Sequence, residues 1–340
     1  MIRRILAIGG IGMALMACNK DKKSTQKTNT EPQKEEKTEV VEKPQPKAIA
    51  DSAGIYTQKF ILEKGKTYPF PSTQKQKQSL KAHTGETMSE TQETVDERNI
   101  VVNDFENGVY DLTLNIISKK TSIVSNGKTI IIDTKKPAPK EQELKNAWTI
   151  DSTLAGSSFG IKMKENGEII SISGIEEIYK KMETAVKPLI KDANQRKQFI
   201  EYFKQGFNEN VLKNEFAKGI NILPKKGVKI GESWTETENI DEAGKIKSTI
   251  TYTLTKVENG IAEISIKGGI PKKSDKKTQN GITATISIEG TQNGSIQIDE
   301  NTGWILNSKL NIKTINKQSM TDGKITESVT STSENNISIN

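Results

Sequence analysis

The sequence is poor in the residues that carry chemistry. Its 340 residues include one cysteine, Cys18, and one histidine, His83. That excludes a disulfide scaffold and a zinc site built from Cys and His. It also leaves Cys18 with His83 as the sole Cys–His pair one chain can offer. Aromatics make up 5% of the chain, so Ile, Leu and Val must build most of any core. No phosphate-binding Gly-Lys-Ser/Thr loop occurs, and Gly9-Gly10-Ile11-Gly12 lies inside an N-terminal apolar run. No cofactor or metal is expected on these grounds.

Positive charge is present but not concentrated. The formal charge of +7 divides into +2 over residues 1–18, +2 over 19–48 and +3 over 49–340. A nucleic-acid binder gathers its charge into a patch or stripe, and no long Lys/Arg block stands out in the body, so nucleic acid is not an expected partner.

The N-terminus carries an address. Arg3 and Arg4 precede an apolar run from Ile5 to Met16. That run is shorter than the roughly 20 residues a bilayer core requires. It ends in Leu15-Met16-Ala17-Cys18, which resembles the bacterial lipobox, and a polar tract follows at once. The resemblance implies a signal peptide over 1–17, cleavage between Ala17 and Cys18, and a diacylglyceryl thioether on Cys18. Acyl chains at about 0.8 kcal/mol per buried methylene make such an anchor effectively permanent. The membrane is therefore the expected partner through Cys18. The expected location is the cell envelope at the outer membrane, with the periplasmic face favoured over the cell surface, because Asp21 stands alone among lysines after the cysteine. Residues 18–50 are rich in Lys, Glu, Thr, Gln and Pro, with Val40 and Val41 almost alone as larger apolar side chains. Such a tract cannot offset its ordering entropy by burial and is expected to be a disordered tether of roughly 30 Å reach.

From residue 51 onward the pattern has period two. Tyr110, Leu112, Leu114 and Ile116 alternate with polar residues, as do Ile250, Tyr252 and Leu254, then Ala262, Ile264 and Ile266, and Leu310 and Ile312 flank Asn311. Strands with one apolar face belong in an antiparallel sheet. Six Asn-Gly pairs, at 107–108, 126–127, 166–167, 259–260, 280–281 and 293–294, read as tight hairpin turns. The expectation is an α+β protein, mainly an antiparallel β-meander.

The meander reads as duplicated. Phe105 to Leu114 matches Val257 to Ile266 in character at every position, and Lys64-Gly65-Lys66-Thr67-Tyr68 parallels Ile230-Gly231-Glu232-Ser233-Trp234. Asn126-Gly127 with Asp133 parallels Asn293-Gly294 with Asp299. Between the halves the period changes. Ile175, Ile178, Tyr179, Met182, Val186 and Leu189 share one helical face, which Pro188 should break. A second stripe runs Phe199, Ile200, Phe203, Phe207, Val211 and Phe216. The body over 51–340 is thus expected to be one β-rich unit: a β half over 51–174, a helical insert over 175–218 packed on one face, and a β half over 219–340.

Several segments resemble a known family in this order: Gly156-Ser157-Ser158-Phe159, Gly167 to Gly174, Ile222-Leu223-Pro224, Gly231-Glu232-Ser233-Trp234-Thr235, Gly290 to Asp299, and Thr302-Gly303. The resemblance is to uncharacterised lipoproteins of Bacteroidota-type bacteria, over residues 52–340. It implies no activity and carries over no catalytic residue. By architecture alone the expected sheet wrapped around helices also resembles the half-barrels of lipoprotein carriers.

Candidate chemistry is thin. His83 lies in a Lys/Gln/Thr-rich stretch with no triad around it. Asp299-Glu300-Asn301-Thr302-Gly303 spaces oxygen-bearing side chains like a calcium loop but lacks the closing Glu, and reads as a hairpin turn. Trp148, Trp234 and Trp304 each precede or begin an apparent strand and read as core or rim packing. No pair among the 43 carboxylates is singled out. The expected function is a non-catalytic, lipid-anchored envelope protein offering a surface to a ligand or protein partner. The alternative is a carrier sheltering an acyl chain or other hydrophobic ligand between sheet and helices, and a hydrolase ranks third.

Overall fold

The computed structural model describes residues 46–240 and 245–339. The signal peptide, Cys18 and most of the expected tether lie outside the described residues. A short hairpin comes first, β1 (Ile49–Ser52) and β2 (Ile55–Gln58), followed by β3 (Thr67–Pro69), β4 (Ser72–Ala82), β5 (Thr87–Glu106), β6 (Val109–Ser125) and β7 (Lys128–Asp133). Helix α1 (Gln142–Leu154) leads to β8 (Ser157–Lys164) and β9 (Ile169–Ser173). Three helices follow: α2 (Ile175–Val186), α3 (Ala193–Gly206) and α4 (Glu209–Ile220). The chain then returns to strands, β10 (Ser233–Asn239), β11 (Lys247–Glu258), β12 (Ile261–Gln279), β13 (Ile282–Asp299), β14 (Ile305–Thr321) and β15 (Thr326–Ile339).

Thirteen of these strands form one open antiparallel sheet, in the order β10-β11-β12-β13-β14-β15-β4-β5-β6-β8-β9, with β3 beside β5 and β7 beside β6. The expected α+β meander is the observed fold, and the sheet does not close into a barrel. Four Asn-Gly pairs (107–108, 126–127, 259–260, 280–281) make the expected turns, with both residues at positive φ as a two-residue hairpin demands. Gly167 alone does so at the β8–β9 turn. Asn293-Gly294 departs from expectation and lies in the middle of β13. A Cβ on Gly294 would stand 2.1 Å from the Lys309 carbonyl oxygen, so this glycine serves a close approach of β14, not a turn.

The register carries the duplication. Tyr68 pairs with Ile100 and Trp234 with Tyr252. Gly65 N–H donates to Val102 at 2.8 Å and Gly231 N–H to Leu254 at 2.7 Å, and a bulge follows each of those buried acceptors. Beyond the two hairpins, Glu165 N–H donates to Gly108 at 3.0 Å and Glu300 N–H to Gly260 at 2.8 Å. The end of β8 therefore corresponds to the end of β13, which makes Lys164 the partner of Asp299 in place of Asp133. β7 and α1 stand where the second half runs straight through β13.

Helix α2 buries the expected face, Ile175, Ile178, Tyr179, Met182 and Val186, and ends ahead of Pro188. Asp192 caps α3 through the Gln195 amide (2.8 Å), and Asn208 caps α4 through that of Val211 (3.1 Å). Helix α1 was not expected. It holds Trp148, which therefore starts no strand; its indole N–H donates to the carbonyls of Asp133 and Lys136.

The helical insert covers one half of the sheet. Phe207, Leu212, Phe216 and Ile178 interlock with Phe70, Ile100, Leu112, Leu114, Phe159 and Ile161. Phe216 meets Phe70 with ring centroids 5.6 Å apart, and the Tyr179 hydroxyl donates to the Phe207 carbonyl at 2.6 Å. The second half is closed differently. Leu254, Ile264, Ile266, Ile296 and Ile298 lie under Ile49, Leu223 and Val228, without a helix. Ala48 and Ile49 are buried and Lys47 pairs with Glu300 at 2.7 Å, so packing begins a few residues before the expected boundary at 51. The two cores meet at Trp304, whose ring contacts Phe60, Tyr68 and Phe70 and whose N–H donates to the Pro69 carbonyl.

Phe216→Ala should cost about 3–5 kcal/mol, because the cavity opens between helix and sheet. Helix and strand signals in circular dichroism should then fall together at a lower urea concentration. A helical transition that moves alone would show that the insert is not part of the sheet's core.

Candidate functional site

The strands outrun both cores. Directly opposed residues of antiparallel strands share a face, so the inner face can be followed outward from buried Ile339. One ladder runs Leu310, Ile337, Gln74, Thr94, Thr121, and the next Ile312, Asn335, Gln76, Gln92, Ile123. Further out the opposed residues are Ile288, Asn316, Ser331, Leu80 and Met88, then Ile286, Gln318, Val329 and Ala82. Here the apolar side chains lose their cover. Met88 is 56% exposed, Ile286 53%, Met320 60%, and Leu80 and Val329 39% each. The result is an uncovered sheet face where Ile, Leu, Val and Met alternate with Gln, Asn, Ser and Thr. Flexible methionines fit such a surface to more than one apolar shape.

A charged cluster marks the edge of the covered region. Arg98 is 7% exposed, donates from Nη2 to Ser72 Oγ at 2.6 Å, and lies over the Phe70 ring, while its Nε has no partner. Asp96 shares the face. Pairing of Glu97 with Ser118 and Arg98 with Ile116 leaves Ile117 as an extra residue on β6, a bulge that keeps Lys119 on the inner side. Lys119 pairs with Asp151 of α1 at 2.9 Å. Burial pushes the Asp96 carboxyl above its ordinary value, against the pull of Arg98 and Lys119. Sequence reasoning passed over Arg98, yet it falls on the same parity as Ile100 and Val102, and a charge on an apolar parity is the signal that marks it.

The residues singled out in the sequence are scattered. His83 sits exposed in the β4–β5 turn. Asp299 Oδ1 accepts from the amides of Asn301 and Thr302 and from the Thr302 hydroxyl, so the 299–303 segment is a self-bonded turn as expected. Trp304 is core. Trp234 stacks on Tyr252 at 5.5 Å, and burial pushes that phenol up to about 12. Among the described residues no group of three His, Cys, Asp or Glu stands close enough to hold a metal ion. Between helices and sheet the rings interlock. Two grooves lie along the helices instead, one of about 540 Å³ lined by Ser152, Thr153, Glu177 and Lys181, and one of about 310 Å³ lined by Val186, Arg196 and Ile200.

A family model matches residues 107–305, from the first Asn-Gly hairpin to the start of β14. The chain belongs to the family of unknown function DUF6263. The match is shorter than the expected 52–340 and leaves out β1 to β5, nearly all of β14 and the whole of β15. No curated protein matches the chain. A solved structure titled "Lipid-protein interactions in lipovitellin" is similar at 11% identity and a TM-score of 0.32, over 81% of this chain and 25% of that one. The chain thus spans a quarter of that protein's length.

Asp96 yields a pH test. A carboxyl raised by burial favours the folded state below its unfolded value, and that contribution is lost as pH rises through the folded one. Asp96→Asn should therefore match the parent near pH 3.5 and gain on it toward pH 7 in urea unfolding midpoints. A variant weaker than the parent at pH 7 would show that attraction to Arg98 outweighs the burial cost.

Proposed function

We propose that this DUF6263 member is a non-catalytic, lipid-anchored envelope protein that binds an apolar ligand on the uncovered inner face of its long strands. The anchor reading rests on the lipobox at Leu15-Met16-Ala17-Cys18 and the charged and apolar segments before it. On this reading the chain sits at the outer membrane, the periplasmic face being favoured over the cell surface. The binding reading rests on one observation: side chains of the inner face, Met88, Ile286, Met320, Leu80 and Val329, stay exposed beyond the helices. Exposed apolar side chains gathered on one face are a mark of interaction surfaces.

Phe216 packs on Phe70 and Phe207 on Phe159 between helices and sheet, so we take the carrier reading outward along the same face. The polar residues between the apolar ones, Gln76, Gln92, Asn316 and Gln318, suit a ligand with hydroxyl or amide groups along its length.

A dansylated fatty acid tests this reading. Its fluorescence should rise on binding the full chain, and Met88→Asp with Ile286→Asp should weaken binding at least tenfold. Ile131→Asp, at an exposed position on β7 outside this surface, should leave it unchanged. Binding that survives the double substitution would place the ligand elsewhere and overturn the reading.

A further inference from the structure

The opposite face of the same strands is basic. Lys75, Lys77 and Lys81 on β4 and Lys309, Lys313 and Lys317 on β14 all point outward and all are exposed. They flank β15, whose outward residues are Ser328, Thr330, Thr332, Glu334, Asn336 and Ser338. The register aligns Lys313, Glu334 and Lys77 in one row, and Lys317, Thr330 and Lys81 in another. Three acids enter this surface, one of them Glu289 on β13, which lies opposite outward Ile315 of β14. Glu334 pairs with Lys313 at 2.7 Å, and Glu93 on β5 approaches Lys75 at 3.7 Å. Lys77, Lys81, Lys309 and Lys317 form no ion pair among the described residues.

Eight residues of strand separate Lys309 from Lys317, about 27 Å, and two strand spacings separate β14 from β4, about 10 Å. Six lysines and three glutamates thus share one broad sheet face. The sequence hides it, because period two spaces the lysines apart and more than 200 residues separate β4 from β14.

We propose that this outer face docks on an anionic lipid bilayer. Lysine is a point charge on a flexible stem, suited to headgroups that move laterally, whereas planar recognition of single phosphates favours arginine. The outward positions of β14, β15 and β4 hold neither arginine nor an aromatic ring on which a base would stack, which sets the surface apart from a single-stranded nucleic-acid site. A bilayer surface rich in anionic lipid rewards each such lysine by about fivefold in affinity, so the contact is reversible and salt-sensitive. Docked this way, the inner face looks away from the membrane. The inference does not rest on the inner face binding anything, nor on the lipid anchor.

The test uses the mature chain, residues 18–340 with Cys18→Ser, so that neither the signal peptide nor an acyl group contributes, and vesicles of phosphatidylcholine with or without 30% phosphatidylglycerol. Sedimentation should show binding to the anionic vesicles that falls at least tenfold when Lys77, Lys81, Lys309 and Lys317 are all changed to Glu. Changing the four to Arg should retain it. Changing Lys140, Lys145, Lys187 and Lys197 to Glu, an equal charge removed from exposed positions elsewhere, should retain most of it. Equal loss in the two Glu sets would reduce the effect to net charge and overturn the proposal, as would undiminished binding of the first set. If the first set fails to fold, the same four positions changed to Gln read the same contrast.

Discussion

The pairing of β15 with β4 holds this molecule together as one object. Ten residue pairs, from Val329 with Ala82 to Ser338 with Thr73, join the last strand of the chain to the first long one. Each repeat supplies a meander, and without this ladder each would end in a bare edge, the feature that sheet proteins otherwise cover or charge. Its contacts close very long loops; Gln76 and Ser333 are 257 residues apart in sequence. Such pairing forms late and slowly, because the loop entropy is lost before the ladder returns anything. Trp304 is the second tie, carrying an aromatic ring from the second repeat into the helix-covered core of the first.

The same ladder creates both surfaces. The inner face passes from β13 through β15 to β5 because β15 fills the gap, and the outer lysines of β14 and β4 become neighbours for the same reason. The outer parts of these strands rest on cross-strand pairs such as Thr278 with Thr283 and Lys313 with Glu334 rather than on a core. Edge strand β10 carries Glu236 and Glu238, charges that discourage another strand from adding there.

Much of this fold was legible in the sequence, for identifiable reasons. Alternation at Tyr110–Ile116 and at Ala262–Ile266 reports a buried face directly, and the paired positive φ of Asn-Gly allows few other placements. The stripe of α2 is similarly direct. The β15–β4 partnership was not legible, since β15 is mostly Ser, Thr and Asn and such strands specify register weakly by pattern alone. Helix α1 escaped because none of its residues is fully buried, so its stripe is faint. Asn293-Gly294 misled because a glycine needed for close strand approach looks the same in sequence as one needed for a turn. Of the two surfaces, the spacing of Ile282, Ala284, Ile286 and Ile288 was visible, but exposure depends on where the helices stop, and that is a tertiary fact.

Hydrogen exchange on a chain ending at residue 325 tests the central claim most directly. If β15 is the tie, its removal should strip protection from the amides of β4 and the outer half of β5 by at least a hundredfold, while the helix-covered strands β6 and β8 keep theirs. Native protection of β4 in the absence of β15 would show that the two halves stand independently and contradict the account.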